Sequence, residues 1–157
     1  MSNGRIYSVQ FDGIAESAVN DVFEITAASD RMVEILSFHI SQVTVTGDAS
    51  EELLLVQYKS GQTTSGSGGT SVTPVPRLLD DVAAGTSCEA TNTTQASTGT
   101  IVTHWSTYWN VRMPLDLWLP PEQTFWLRPS QRGTFSIDTA PAGATTFSAV
   151  CTFREIG

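Results

Sequence analysis

Apolar and polar residues alternate with a period of two along most of this chain, the signature of half-buried β-strands. Tyr7, Val9 and Phe11 share one face of a first strand that Asp12-Gly13 is expected to end as a turn. Val22–Thr26 reads as a second strand. The stretch from Arg31 to Thr46 reads as the longest, closed by Gly47-Asp48 and apolar on both faces: Val33, Ile35, Val43 and Val45 against Met32, Leu36, Phe38 and Ile40. A strand apolar on both sides is central in its sheet or meets a second subunit. The small polar Ser37 and Ser41 within it suggest a bend or bulge. Further strands are expected over residues 51–59, 87–95, 98–112, 115–119, 124–128, 134–139 and 145–155, with a turn near Gln95–Gly99 and turn clusters at 129–133 and 140–143.

Only Leu78–Ala84 and Glu16–Asp21 look helical, each for about one turn. Nine or ten strands at this spacing and no amphipathic helix predict an all-β fold. The expected architecture is a single-domain antiparallel β-sandwich over residues 1–157, jelly-roll-like.

One stretch breaks the alternation. Ser60–Pro76, SGQTTSGSGGTSVTPVP, carries no charge, and a connection of this length in a compact domain has a job or is disordered. With no second domain to link, it reads as an extended polar arm whose glycines form the tip. Pro74 and Pro76 keep it out of any central strand, because proline donates nothing to a ladder. Deleting Gly61–Gly69 is therefore expected to leave the isolated fold intact and to weaken contacts with a partner.

Ser and Thr make up about a quarter of the chain, while one lysine, Lys59, and seven arginines face sixteen acids. The formal net charge of −8 repels phosphate backbones and argues against nucleic-acid binding. The N-terminal residues MSNGRIYSVQF have neither a basic region nor a long apolar one, so no secretory signal is expected. No run approaches the ~18 apolar residues of a membrane span, so no membrane partner is expected either. The expected setting is a cytosol, in which the sequon Asn92-Thr93-Thr94 stays unmodified. Two cysteines make no disulfide framework; Cys88 and Cys151 are read as reduced core thiols, with a bridge between them as the alternative.

Candidate chemistry is sparse. The two histidines, His39 and His104, lie in expected strands without an HxH or CxxC partner, so no metal is assigned. No serine sits in GxSxG or SxxK. Gly66-Ser67-Gly68-Gly69 lacks the Lys-Ser/Thr of a phosphate loop. Glu51 and Glu52 are neighbours on a strand and point to opposite faces. Asp80-Asp81 is either a solvated turn or a weak cation site. No catalytic residue and no cofactor follow, and the protein is read as a non-enzyme. Trp105 and Trp109 fall on one strand face roughly 13 Å apart, either as core residues or as a flat platform for sugar rings. Trp118 and Trp126 sit in short strands near prolines and suit a subunit interface.

Taken together, several segments resemble small all-β decoration or cement proteins of tailed-phage heads. They are Arg5–Gly13 (RIYSVQFDG), the acidic 48–52 turn, the SGSGG-T-x-V-T-P-x-P run within 64–76, Glu89–Gly99 (EATNTTQASTG) and the ending Phe153–Gly157 (FREIG). The resemblance implies a subunit that binds the outside of a virion capsid, made in the host cytoplasm, with the major capsid protein as partner. It also implies a homo-oligomer, often a trimer. On this reading the contact residues are Thr64, Ser67, Thr70, Val72, Pro74, Pro76, Asn92 and Thr94, with Trp118 and Trp126 at a protomer interface. The competing readings are a tail- or fibre-associated structural protein and a carbohydrate-binding module.

Overall fold

The computed structural model describes residues 4–43 and 51–157. These form twelve strands: β1 (Arg5–Glu16), β2 (Asn20–Thr26), β3 (Met32–Gln42), β4 (Leu53–Thr64), β5 (Thr70–Val72), β6 (Val75–Pro76), β7 (Ser87–Asn92), β8 (Ser97–Asn110), β9 (Leu115–Trp118), β10 (Phe125–Leu127), β11 (Arg132–Ile137) and β12 (Thr145–Ile156). Every pairing is antiparallel. One sheet runs β6-β1-β12-β3, with β9 and β10 end to end along the far side of β3; the other runs β5-β7-β2-β11-β4-β8. With β5–β7 set aside, successive strands cross between the sheets, except from β4 to β8 and from β9 to β10, which stay within one sheet; β1-β12-β3-β9/β10 packs on β2-β11-β4-β8, the order of a jelly roll.

The alternation explains the core. Tyr7 and Val9 from β1, Phe23 and Ile25 from β2, and Phe135 and Ile137 from β11 are fully buried between the sheets. Phe38 stacks on Phe135 with ring centroids 4.1 Å apart, joining the two layers. In β3 the buried positions change parity, from Val33 and Ile35 to Phe38 and Ile40. A register shift against β12 at this point leaves Leu36 as the extra residue of a bulge, beside Ser37.

Several expectations are corrected. Asp12-Gly13 does not end β1; it forms a bulge against β12, with Gly13 at φ +66°, because β12 continues to offer a pairing edge. The strand Met32–Gln42 is shorter than expected, Val43 lies beyond it, and β8 with 14 residues is the longest of the described strands. The expected continuation through Val45 and the Gly47-Asp48 turn lie outside the described residues. β7 stops at Asn92, and Thr98 and Gly99 lie within β8 rather than in a turn. Neither helical candidate forms: Glu16 closes β1 and Asn20-Asp21 open β2, and 78–81 makes one turn with Leu78 and Leu79 exposed.

The two strands beyond the expected ten, β5 and β6, both lie within 60–76. That segment is not one extended arm. Ser60–Thr64 complete β4, β5 extends one sheet through β7, and β6 extends the other beside β1. Pro76 is tolerated because β6 is an outermost strand. The insertion β5–β7 thus covers both sheets along one side of the sandwich, next to β1 and β2.

Candidate interaction surfaces

Glu24 lies between core residues Phe23 and Ile25, so its side chain leaves the core on the outer face of β2. It is nevertheless only 2 % exposed. The carboxylate accepts from Ser65 Oγ at 2.6 Å, the Gly66 amide at 2.8 Å and Asn92 Nδ2 at 3.0 Å, and it pairs with Arg132 Nε at 2.5 Å. The start of the glycine-rich run is therefore laid over this face. Close approach requires glycine there: a Cβ on Gly66 would stand 2.6 Å from the Thr94 carbonyl oxygen and 2.8 Å from Asn92 Nδ2. Ser67 exchanges two backbone hydrogen bonds with Thr94, at 2.9 and 3.0 Å. Beside Glu24, Asp21 accepts from the Ala96 amide at 2.7 Å, and Asp138 accepts from Lys59 at 2.7 Å and Gln95 at 2.6 Å.

These contacts sort the expected interface residues. Thr64, Ser67, Thr70 and Thr94 are exposed and form one polar rim on the sheet containing β5 and β7. Val72 and Pro74 are half-buried, and Val72 packs on the core. Pro76 is half-buried opposite Tyr7. Asn92 is corrected: it is 1 % exposed and donates to Glu24 and Glu89, so it anchors the run and does not present a surface. The deletion expectation changes with it, since removing 61–69 truncates β4 and strips Glu24 of two donors.

Trp118 and Trp126 lie on the opposite sheet. Trp118 pairs with Ser37 and Trp126 with Glu34, so both project from its outer face, away from Phe38 and Ile35. They are 77 % and 44 % exposed, and Met32 is exposed nearby on the same face of β3. Opposite Trp126, Glu34 is itself buried and accepts from Arg154 at 2.9 Å and Thr124 at 3.0 Å, and beyond Trp118 on the same sheet His39 pairs with Asp116. The two rings are thus flanked by fixed polar pairs.

The edge formed by β8 was not anticipated. Trp109 is 2 % exposed and donates its indole N–H to the Met113 carbonyl, and Trp105 is half-buried against the core. The sugar platform on those two residues is therefore removed. Residues 97–104 of β8 are exposed on both faces, Ile101 and Val102 among them, as is Tyr108 further along. Phe125 of β10 stacks on Tyr58 of β4 at 4.4 Å and lies 6.2 Å from His104, which places the open edge of β8 on the same side of the sandwich as Trp118 and Trp126. The available signal was the absence of Lys and Pro over a long Thr-rich strand.

Titratable groups are tied up locally. His104 Nε2 lies 2.8 Å from Ser60 Oγ. A cavity of about 480 Å³ is lined by Arg5, Arg31, Arg77, Asp81 and Glu155, where Arg5 pairs with Asp81 at 2.9 Å and Arg31 with Glu155 at 3.0 Å. Asp81 thus faces a guanidinium, and among the described residues no three His, Cys, Asp or Glu side chains converge as metal ligands. Cys88 and Cys151 are free thiols on opposite sheets, and burial pushes both well above the ordinary thiol range. Among the described residues no helix is long and apolar enough to cross a membrane. No protein-family model, curated protein or solved structure matches the chain.

Proposed function

We propose that this is a structural virion protein that attaches to the outside of a phage head as a homo-oligomer and decorates or cements it, with the major capsid protein as partner. The exposed pair Trp118 and Trp126 on one flat sheet face carries this reading, because tryptophan exposed on a rigid scaffold is the usual anchor of a protein interface. The arrangement also suits a clamp mechanically. One side of the sandwich is covered by the insertion, the other leaves its edges and aromatics open, and no proton transfer is needed. Several weak contacts per oligomer add through effective concentration. The resemblance of the sequence to head decoration proteins supplies the capsid as partner and implies a trimer.

The test is co-sedimentation of the purified protein with heads that lack it, for wild type and Trp118→Ala. Binding by wild type and at least tenfold weaker binding by the variant, with the fold preserved, is the expected result. Equal binding by both would remove Trp118 from the interface, and no binding by wild type would overturn the head reading. A second reading, glycan binding, moves to Trp118 and Trp126, since these are the exposed rings. A glycan array on which wild-type signal is lost in Trp118→Ala would favour it.

A further inference from the structure

We propose that β8 is a self-association edge, pairing antiparallel with β8 of a second copy across a twofold axis near His104. This rests on the self-association part of the reading above, puts a twofold pair in place of the trimer that the resemblance implies, and does not depend on the capsid part.

Three observations converge on it. First, among the described strands β8 is an outermost strand of 14 residues with only β4 as neighbour, so one row of its N–H and C=O groups has no described strand to bond. Lys, Pro and bulges blunt natural edges of this length; β8 has neither Lys nor Pro, and its register shifts beside His104 and Gly99 leave 105–110 in regular pairing with β4. Second, the β4–β8 ladder outruns the β4–β11 ladder, which covers only residues 56–60 of β4. The ribbon of 61–64 and 97–100 keeps its β8 side chains exposed and is tied to β11 through Gln62, which donates to Thr134 Oγ1 and accepts from Arg132 at its carbonyl. A ribbon held from the β4 side alone gains support from a further strand beside β8.

The third observation selects the occupant. Two copies of a chain with net charge −8 repel, so they meet best where neither brings charge. Among the described strands, β8 is the only one longer than three residues without Asp, Glu, Lys or Arg. Its Thr100, Thr103 and Thr107 provide small β-branched and hydroxyl partners across an antiparallel pair, and Ile101, Val102 and Tyr108 add exposed apolar area. A twofold contact of this kind is isologous and builds dimers or other even-numbered assemblies.

Light scattering on the purified chain, without heads, tests this, with Thr103→Glu/Ser106→Glu to set like charges against each other and Leu79→Glu as a remote control. The expected result is a dimer for wild type and control and a monomer for the double variant. Hydrogen exchange on wild type is the independent measurement: amides of 100–107 should become more protected as protein concentration rises, which holds even if the double variant misfolds. A monomeric or trimeric wild type, or a dimer without concentration-dependent protection of β8, overturns the proposal. Protection that appears only on adding heads also overturns it and gives the edge to a capsid segment. None of these outcomes touches head attachment, which the co-sedimentation above reads separately.

Discussion

The Gly66 amide donates to the Glu24 carboxylate at 2.8 Å, and this contact turns a run that looks like a loose arm into a cover. Glu24 sits on a strand face that alternation marks as solvent-facing, and the run buries it. A buried carboxylate is tolerable when donors meet its lone pairs and a charge balances it, and here Ser65, Gly66 and Asn92 donate while Arg132 supplies the counter-charge.

Glu24→Ala should therefore destabilise the fold by about 3 kcal/mol, because it leaves the mostly buried Arg132 without its counter-charge. The run should also detach locally, so limited proteolysis should cut between Thr63 and Gly69. Glu24→Gln, which keeps one acceptor, should show a smaller loss. An uncut Glu24→Ala of wild-type stability would mean that the pairing of β5 and Ser67 holds the run alone.

The Tyr58 hydroxyl is buried without a hydrogen-bond partner among the described residues, and burial raises its pKa. Replacing such a group by hydrogen removes a desolvation cost, so Tyr58→Phe should be neutral or stabilising by about 0.5–1 kcal/mol in urea unfolding. A Cβ on Gly133 would lie 2.5 Å from that oxygen, so Gly133→Ala should destabilise by about 2 kcal/mol. Part of that loss should return in the double variant. Strict additivity of the two changes would argue against the contact.

Asp21 is pushed up to about 7, first by burial, with the Ala96 amide and Lys59 opposing and Glu24 and Asp138 adding to the rise. Its folded value lies above the unfolded one. The stabilising contribution is therefore complete below about pH 4 and lost as pH rises through about 7. Asp21→Asn should remove this dependence, with the variant gaining on wild type by about 1–2 kcal/mol between pH 5 and pH 8. Urea midpoints at the two pH values measure it, and a constant difference between the proteins would contradict the assignment.

Cys88 and Cys151 should react with a thiol reagent only as fast as the protein unfolds, because both are buried and their thiolates are disfavoured. The intact mass should not change on reduction. Rapid labelling of either thiol in the native protein would show an opening of the sandwich.

Much of the fold was legible in the chain because a strand's apolar alternation is a local property. Ten of the strands, the shared face of Tyr7, Val9 and Phe11 in β1, and the irregularity beside Ser37 all follow from residues close in sequence, whereas the burial of Trp109 needed the packing of the two sheets. Trp118 and Trp126, singled out because they sit in short strands near prolines, are exposed in the fold. The burial of Asn92 was not, because its partner Glu24 is 68 residues away. Neither was the open edge of β8, since alternation names a strand's faces but not its neighbours.

The sequence by itself determined an all-β chain whose strands bury one face, because side-chain period and β-branched content act within each segment. Tertiary structure alone decided which strands are outermost, and with that the meaning of 60–76. Backbone groups there find partners on β7, β1 and Thr94, and Glu24 finds its donors, only where segments distant in sequence lie side by side. Hydrogen-bond satisfaction between distant segments, rather than any local preference, converts the glycine-rich run into the covered side of the sandwich and leaves the tryptophan side open.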